Sequence, residues 1–415
     1  MLGMRSPRNF LPFVFVSLLC GNAIYSQEWT RFRGPNGSGR GTALELPATI
    51  TEKDFNWRIK LPGHGHSSPV IWGDRVFVSS TPEGTAKRIF SCLNTATGKS
   101  LWQREYATGT FRQHSDNSYS AASPALDAER IYAWWDSPEG SALVALDQKD
   151  GHEIWRRDLG PFVSQHGSGA SPIVFENLVI LNFDQDQPGS YVIALDAATG
   201  KERWKLVRDS KSSSASTPCI FTPEKGPPQL ILTGRTTGVT GLNPRTGEVL
   251  WQMTDLMPRR CVASPIITDA CAIIAQCGEG SAESLVAAVK PGLARQPPSK
   301  LYEIVRVGGY VPTPIAVGEL LFLFKDNGLV TCLRAHDREQ LWSERVEGGF
   351  YGSPMCVGDR LYNITRRGDL VIIRAGDKFE LLARVPLGEG SHASPSVSGG
   401  RMYLRTFTHL ISIGK

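Results

Sequence analysis

Residues 194–204 read ALDAATGKERW, and the same string returns in altered form along the chain. It stands as CLNTATGKSLW at 92–102, ALDQKDGHEIW at 145–155, GLNPRTGEVLW at 241–251 and, eroded, CLRAHDREQLW at 332–342. Each copy is an apolar run, a turn rich in Asp, Asn, Thr and Gly, and a second run ending on Trp. That is the pattern of an antiparallel hairpin, with Gly supplying the positive φ of the turn.

A second signal precedes each copy. A small residue, Pro and apolar residues recur at Pro69 (SSPVI), Pro124 (ASPAL), Pro172 (ASPIV), Pro218 (STPCI), Pro265 (ASPII), Pro314 (PTPIA), Pro354 (GSPMC) and Pro395 (ASPSV), at intervals of 40 to 55 residues. Between the two signals lie a Gly-Asp-Arg-like turn and a β-rich run such as DRVFVSS (74–80), ERIYAWW (129–135) or DRLYNIT (359–365). Each unit therefore holds four short strands, and radial repetition of four-stranded sheets is a propeller. The expected fold is all-β, an eight-bladed β-propeller of four-stranded antiparallel blades.

The closing aromatics are Trp57, Trp102, Trp155, Trp204, Trp251, Tyr302 and Trp342. Trp57, in FNWRIKLP at 55–62, lies ahead of the first Ser-Pro unit, whereas the unit opening at Pro395 stops without its aromatic strand. The N-terminal strand is thus predicted to complete the C-terminal blade, which leaves no open sheet edge.

Arg5 and Arg8 followed by the apolar run 10–20 and the small or polar residues Gly21, Asn22, Ala23 and Ser26 predict a signal peptide over 1–26. Lipidation at Cys20 has Leu19 against it, where a small residue is wanted. Residues 27–51 then form a Gly-rich segment capping the propeller, which occupies 52–415. No later run approaches the ~20 apolar residues of a membrane helix. The expected location is secreted, periplasmic or cell-envelope.

The whole chain carries 45 basic and 40 acidic residues, and loss of Arg5 and Arg8 leaves 43 against 40. So small an excess predicts neither nucleic acid nor an anionic membrane as partner. Seven cysteines remain, without CxxC spacing, and read as free apolar strand residues. GPNGSGRG at 34–41 has the skeleton of a phosphate loop but places Arg40 and Gly41 where Lys and Ser or Thr are needed, so it is read as a tight turn.

The chemistry gathers in the connection before each small-Pro strand. Five of the eight histidines fall there, namely His64, His66, His114, His166 and His392, together with Tyr310 and Tyr351. Asp116, Asn117, Tyr119, Arg259, Arg260 and Phe350 share these loops. If the small-Pro strand is innermost, all eight loops converge on one mouth of the central channel, where binding groups collect on a rigid scaffold. The seven His and Tyr residues are the candidate ligand or partner site. No residue set for catalysis or for a metal is expected.

The repeat resembles that of pyrroloquinoline-quinone (PQQ) enzymes and their cofactor-free, BamB-type relatives, over roughly residues 55–413. The opening EWTRFRGPNGSGRG (28–41) is similar to a segment ahead of such propellers in planctomycete and verrucomicrobial secreted proteins. The resemblance implies the fold. For the quinoprotein dehydrogenases it would also imply a quinone over calcium, a carboxylate base and a ring disulfide between adjacent cysteines, but adjacent cysteines and CxxCH are missing here. The sequence reading is accordingly a non-catalytic scaffold with no cofactor, binding a protein, peptide or polymer. The alternative is a small oxidoreductase dependent on PQQ and calcium.

Overall fold

The computed structural model describes residues 28–41, 50–210, 212–294 and 296–414. The predicted signal peptide, Cys20 and residues 42–49 of the Gly-rich segment lie outside them. Eight four-stranded antiparallel sheets follow in chain order: blades 1 (70–106), 2 (125–160), 3 (173–207), 4 (219–253), 5 (266–305), 6 (315–345) and 7 (355–386), and blade 8 (396–414 with 55–60). Among the described residues the only helical pieces are four 3-10 turns of three residues. Among the described residues no helix is long and apolar enough to cross a membrane.

The ring closes as the repeat predicts. Phe55–Lys60 pairs antiparallel with His409–Gly414, setting Arg58 against Ile411 and Ile59 against Leu410. First strands of successive blades touch one another, including Val70–Trp72 of blade 1 against Ser396–Ser398 of blade 8, so these strands line the axis.

The outer aromatics hold neighbouring blades together. Trp155 of blade 2 donates Nε1–H to the Ala197 carbonyl in the turn of blade 3 at 2.9 Å, and Trp57 of blade 8 does the same to Thr95 of blade 1 at 3.0 Å. The indole lies flat on the turn glycine: a Cβ on Gly200, whose φ is +68°, would sit 2.6 Å from the Trp155 ring. The TG glycine is therefore required twice, by the turn and by the ring above it. Where blade 6 has Arg338 at φ 65° in place of that glycine, the docking residue from blade 5 is the smaller Tyr302, whose hydroxyl reaches the Ala335 carbonyl at 2.7 Å.

The Ser or Thr before each Pro has a function that the repeat alone does not reveal. Ser68 N–H donates to Ser123 Oγ (2.8 Å), Ser123 to Ser171 (3.0 Å), Ser171 to Thr217 (2.9 Å) and Thr217 to Ser264 (2.9 Å). Ser264 continues to Thr313 (3.0 Å), Thr313 to Ser353 (2.9 Å), Ser353 to Ser394 (2.9 Å), and Ser394 returns to Ser68 (3.0 Å). All eight residues are buried. A closed circle of hydroxyls satisfies the inward N–H groups that an innermost strand would otherwise leave unpaired.

Residues 28–41 cross the end of the channel away from those loops. Arg40–Gly41 adds a parallel strand to Met355–Val357 of blade 7, and Trp29 bridges Ile71 of blade 1. Arg33 reaches the Thr313 and Pro314 carbonyls, both at 2.9 Å, and Arg31 the Pro218 carbonyl. Burial lowers Arg33 to about 9 and Arg31 to about 10.

Candidate functional site

In a four-stranded blade, the loop entering the first strand and the turn joining the second to the third emerge at the same end. Together these segments form a funnel of two cavities. The inner one, about 390 Å3, is lined by ring residues including Ser68, Thr313 and Ser394, by His66, His114, His166, Tyr310, Tyr351 and His392, and by Phe32 from the N-terminal segment. The outer one, about 720 Å3, is lined by His64, His66, His392, Phe407 and the turn residues Asp326, Asn327, Arg366 and Arg367. His66, Asp116 and His392 belong to both. All seven predicted His and Tyr residues thus line one funnel, although they come from six loops spread over 329 residues of sequence.

They gather in two groups. On the side of blades 7, 8 and 1, the ring of His66 lies 4.9 Å from His64 and 4.5 Å from His392, which lies 4.6 Å from Tyr351. Phe407 packs on His64 (4.9 Å) and His392 (5.1 Å). On the side of blades 2 and 3, His114 lies 4.8 Å from His166. Burial first, and then neighbouring cations, hold His66 well below the usual imidazole value and push His392 down to about 4. His64 and His166 are lowered for the same leading reason, and burial pushes Tyr351 up to about 12. At neutral pH His66, His392 and Tyr351 are therefore uncharged, with ring faces for apolar contact and ring edges for hydrogen bonds.

The other loop residues divide. Asp116, Asn117 and Arg260 line the inner cavity. Phe350 is a core residue packed at 5.1 Å on Phe324. Tyr119 packs at 5.0 Å on Phe111 beneath the Arg88 guanidinium, and Arg259 pairs with Glu283 at 3.0 Å. Reading the small-Pro loops alone missed Arg366, Arg367, Asp326 and Phe407. All four sit in second-to-third-strand turns, and the strand count would have pointed to them.

Sequence comparison places this architecture. The family described as "Outer membrane protein assembly factor BamB" matches residues 49–134 and 91–323. The chain belongs to this family of PQQ-like repeat propellers. Among solved structures, BamB from Moraxella catarrhalis superposes with a TM-score of 0.63 over 86% of this chain and 96% of its own, at 14% identity. Quinohemoprotein alcohol dehydrogenase from Comamonas testosteroni superposes with a TM-score of 0.67 over 94% of this chain and 80% of its own, also at 14% identity. By sequence, a polyvinylalcohol dehydrogenase from Pseudomonas sp. is 28% identical over 182 residues, 41% of this chain and 26% of the relative. The Comamonas testosteroni enzyme is 26% identical over 198 residues, 44% of this chain and 26% of its own length. The chain thus aligns with about a quarter of the length of these curated relatives.

The dehydrogenase resemblance raises a calcium-held quinone, and the funnel residues do not fit one. Calcium takes six to eight oxygen ligands. Asp116, the carboxylate of the inner cavity, has Oδ2 bound to Tyr351 and Oδ1 to Arg366. Asp326 accepts the Tyr310 and Val311 N–H groups at 2.7 and 3.1 Å. Among the described residues, one group of three potential metal-ligand side chains lies close together, Asp147, Asp150 and His152, on an outer turn of blade 2.

Proposed function

We propose that the protein is a non-catalytic propeller of the periplasm, cell envelope or extracellular space, whose funnel receives a protein, peptide or polymer partner. The observation that carries this reading is the concentration of His64, His66, His114, His166, Tyr310, Tyr351 and His392 in one dead-ended funnel on an otherwise regular ring. A regular repeat needs its hydroxyl ring and its docked tryptophans, and both are accounted for structurally. The funnel side chains differ from blade to blade, which is what recognition of an asymmetric partner demands. The name of the BamB relatives, assembly factors, supports a protein partner.

A second reading, a PQQ- and calcium-dependent oxidoreductase, draws support from the polyvinylalcohol and quinohemoprotein alcohol dehydrogenase relatives. The engaged carboxylates of the funnel weigh against it. Native mass spectrometry of protein purified from its source separates the two. A retained macromolecular partner lost on substitution of funnel residues supports the scaffold. A stoichiometric quinone with calcium, followed by dye reduction with an alcohol, overturns it.

A further inference from the structure

The loop before blade 2 (107–124) reaches across the funnel to blades 7 and 8 through Asp116. Tyr351 donates its hydroxyl to Asp116 Oδ2 at 3.0 Å, and Arg366 donates to Oδ1 at 3.1 Å. The same guanidinium lies 4.0 Å from the centroid of the Tyr351 ring, and His392 Nδ1 is 3.1 Å from the Asp116 carbonyl oxygen. A phenol and a guanidinium stacked on it around one carboxylate, with an imidazole against the backbone carbonyl of the same residue, make a preorganised carboxylate receptor. Its occupant here is a residue of the chain itself.

Two features beneath it indicate that this occupant does not exhaust the site. His66 Nε2 is buried without a hydrogen-bond partner. Arg405, fully buried, donates to the Ser67 carbonyl at 3.0 Å and to the Ser67 and Ser80 hydroxyls, with no carboxylate within ion-pair distance among the described residues. The nearby Glu389 is engaged by Thr406, Thr408 and His409. The lining of the two cavities itself carries Arg260, Arg345, Arg366 and Arg367 against Asp116, Asp326 and Glu347, and a concave site with an excess of positive charge draws anions. Among the described residues, the hydrogen bonds of residues 107–116 to blades 7 and 8 run through Asp116.

We infer that Tyr351 and Arg366, with His392 beside them holding the backbone of the same loop, form a subsite for a peptide carboxylate, held shut by Asp116 as an internal mimic, and that a partner's carboxylate displaces Asp116 and releases the loop. This inference rests on the funnel being the partner site and adds the chemistry it recognises. A chain terminus and an acidic side chain present the same group. A dead end favours neither, because the subsite lies on the wall rather than the floor.

The test is fluorescence-anisotropy titration with three labelled probes: hexaglutamate amide, hexa-alanine with a free C-terminal carboxylate, and hexa-alanine amide. At least one of the first two binds and the third does not; which one binds identifies the source. Asp116→Asn, nearly isosteric and at a part-exposed position, removes the internal competitor and tightens binding about tenfold, the equivalent of one charge-assisted hydrogen bond. Asp116→Ala shifts affinity in the same direction. Tyr351→Phe and Arg366→Gln each weaken it about tenfold, and amide exchange over 107–116 speeds up on binding. Failure of both carboxylate probes, or unchanged or weaker binding to Asp116→Asn, overturns the inference. If Asp116→Asn is neutral while funnel histidine variants still lose the native partner, the subsite falls and the funnel reading stands.

Discussion

The backbone N–H of Ser394 donates to Ser68 Oγ at 3.0 Å, joining residues 326 positions apart and completing a ring of eight such bonds. Together with the Phe55–Lys60 strand on blade 8, it makes closure a property of both the inner and the outer edge of the propeller.

The inner ring predicts the effect of a single hydroxyl. Ser171→Ala leaves the buried Ser123 N–H without an acceptor, at a cost of about 1–3 kcal/mol. Ser171→Thr keeps the acceptor, as Thr217 and Thr313 do at equivalent positions, and should cost much less. Comparing the two by thermal denaturation checks this, and equal melting temperatures for Ser171→Ala and the parent would sink it.

The outer edge predicts a ring-wide effect from the N-terminal strand. Deleting residues 52–62 removes Trp57 and its bond to Thr95 and exposes the His409–Gly414 edge. The melting temperature of the whole propeller should fall; a deletion that melts with the parent would contradict closure through this strand.

Cysteine reactivity should follow burial. Cys92, Cys219, Cys261, Cys277, Cys332 and Cys356 are buried free thiols, whereas Cys271 is exposed. Burial pushes Cys92, Cys219, Cys332 and Cys356 up to about 12, which further slows thiolate chemistry. A thiol reagent should label Cys271 rapidly in the native protein and all seven after denaturation without reductant. Fewer than five labelled after denaturation would mean disulfides.

The funnel histidines predict a pH dependence. Burial favours the neutral form of His66 and His392, so below about 6.5 the unfolded chain binds more protons than the native one and stability drops with pH. For His392 the loss runs from the unfolded value near 6.5 to the folded value of about 4. His392→Gln should flatten the fall in melting temperature between pH 7 and pH 4.5, and an unaltered slope would show that the imidazole is not held neutral.

The fold was legible because its determinants are local and repeated eight times: the Pro that opens each inner strand, the TG turn, and the Trp that ends a run. Trp57 betrayed closure by standing ahead of the first unit. The funnel loops were legible from strand order once the small-Pro strand was placed innermost. Asp116 meeting Tyr351 and Arg366 was not, because contacts between blades 235 and 250 residues apart leave no periodic trace. The hydroxyl ring was hidden for another reason: Ser and Thr before Pro pass for generic small residues until neighbouring blades are seen side by side.

Whether the funnel binds a partner is read most directly from partner retention per folded molecule. Protein purified from its native source, with its bound macromolecule quantified by mass spectrometry, is compared with single Ala variants at His64, His166 and Tyr310 and with Trp204→Ala. The funnel variants should lose the partner while their melting temperatures stay close to that of the parent. Trp204→Ala, which removes a ring docked on Gly247, should cost about 3–5 kcal/mol while each molecule that remains folded keeps its partner. Funnel variants that unfold the protein yet leave retention per folded molecule unchanged would contradict partner binding in the funnel.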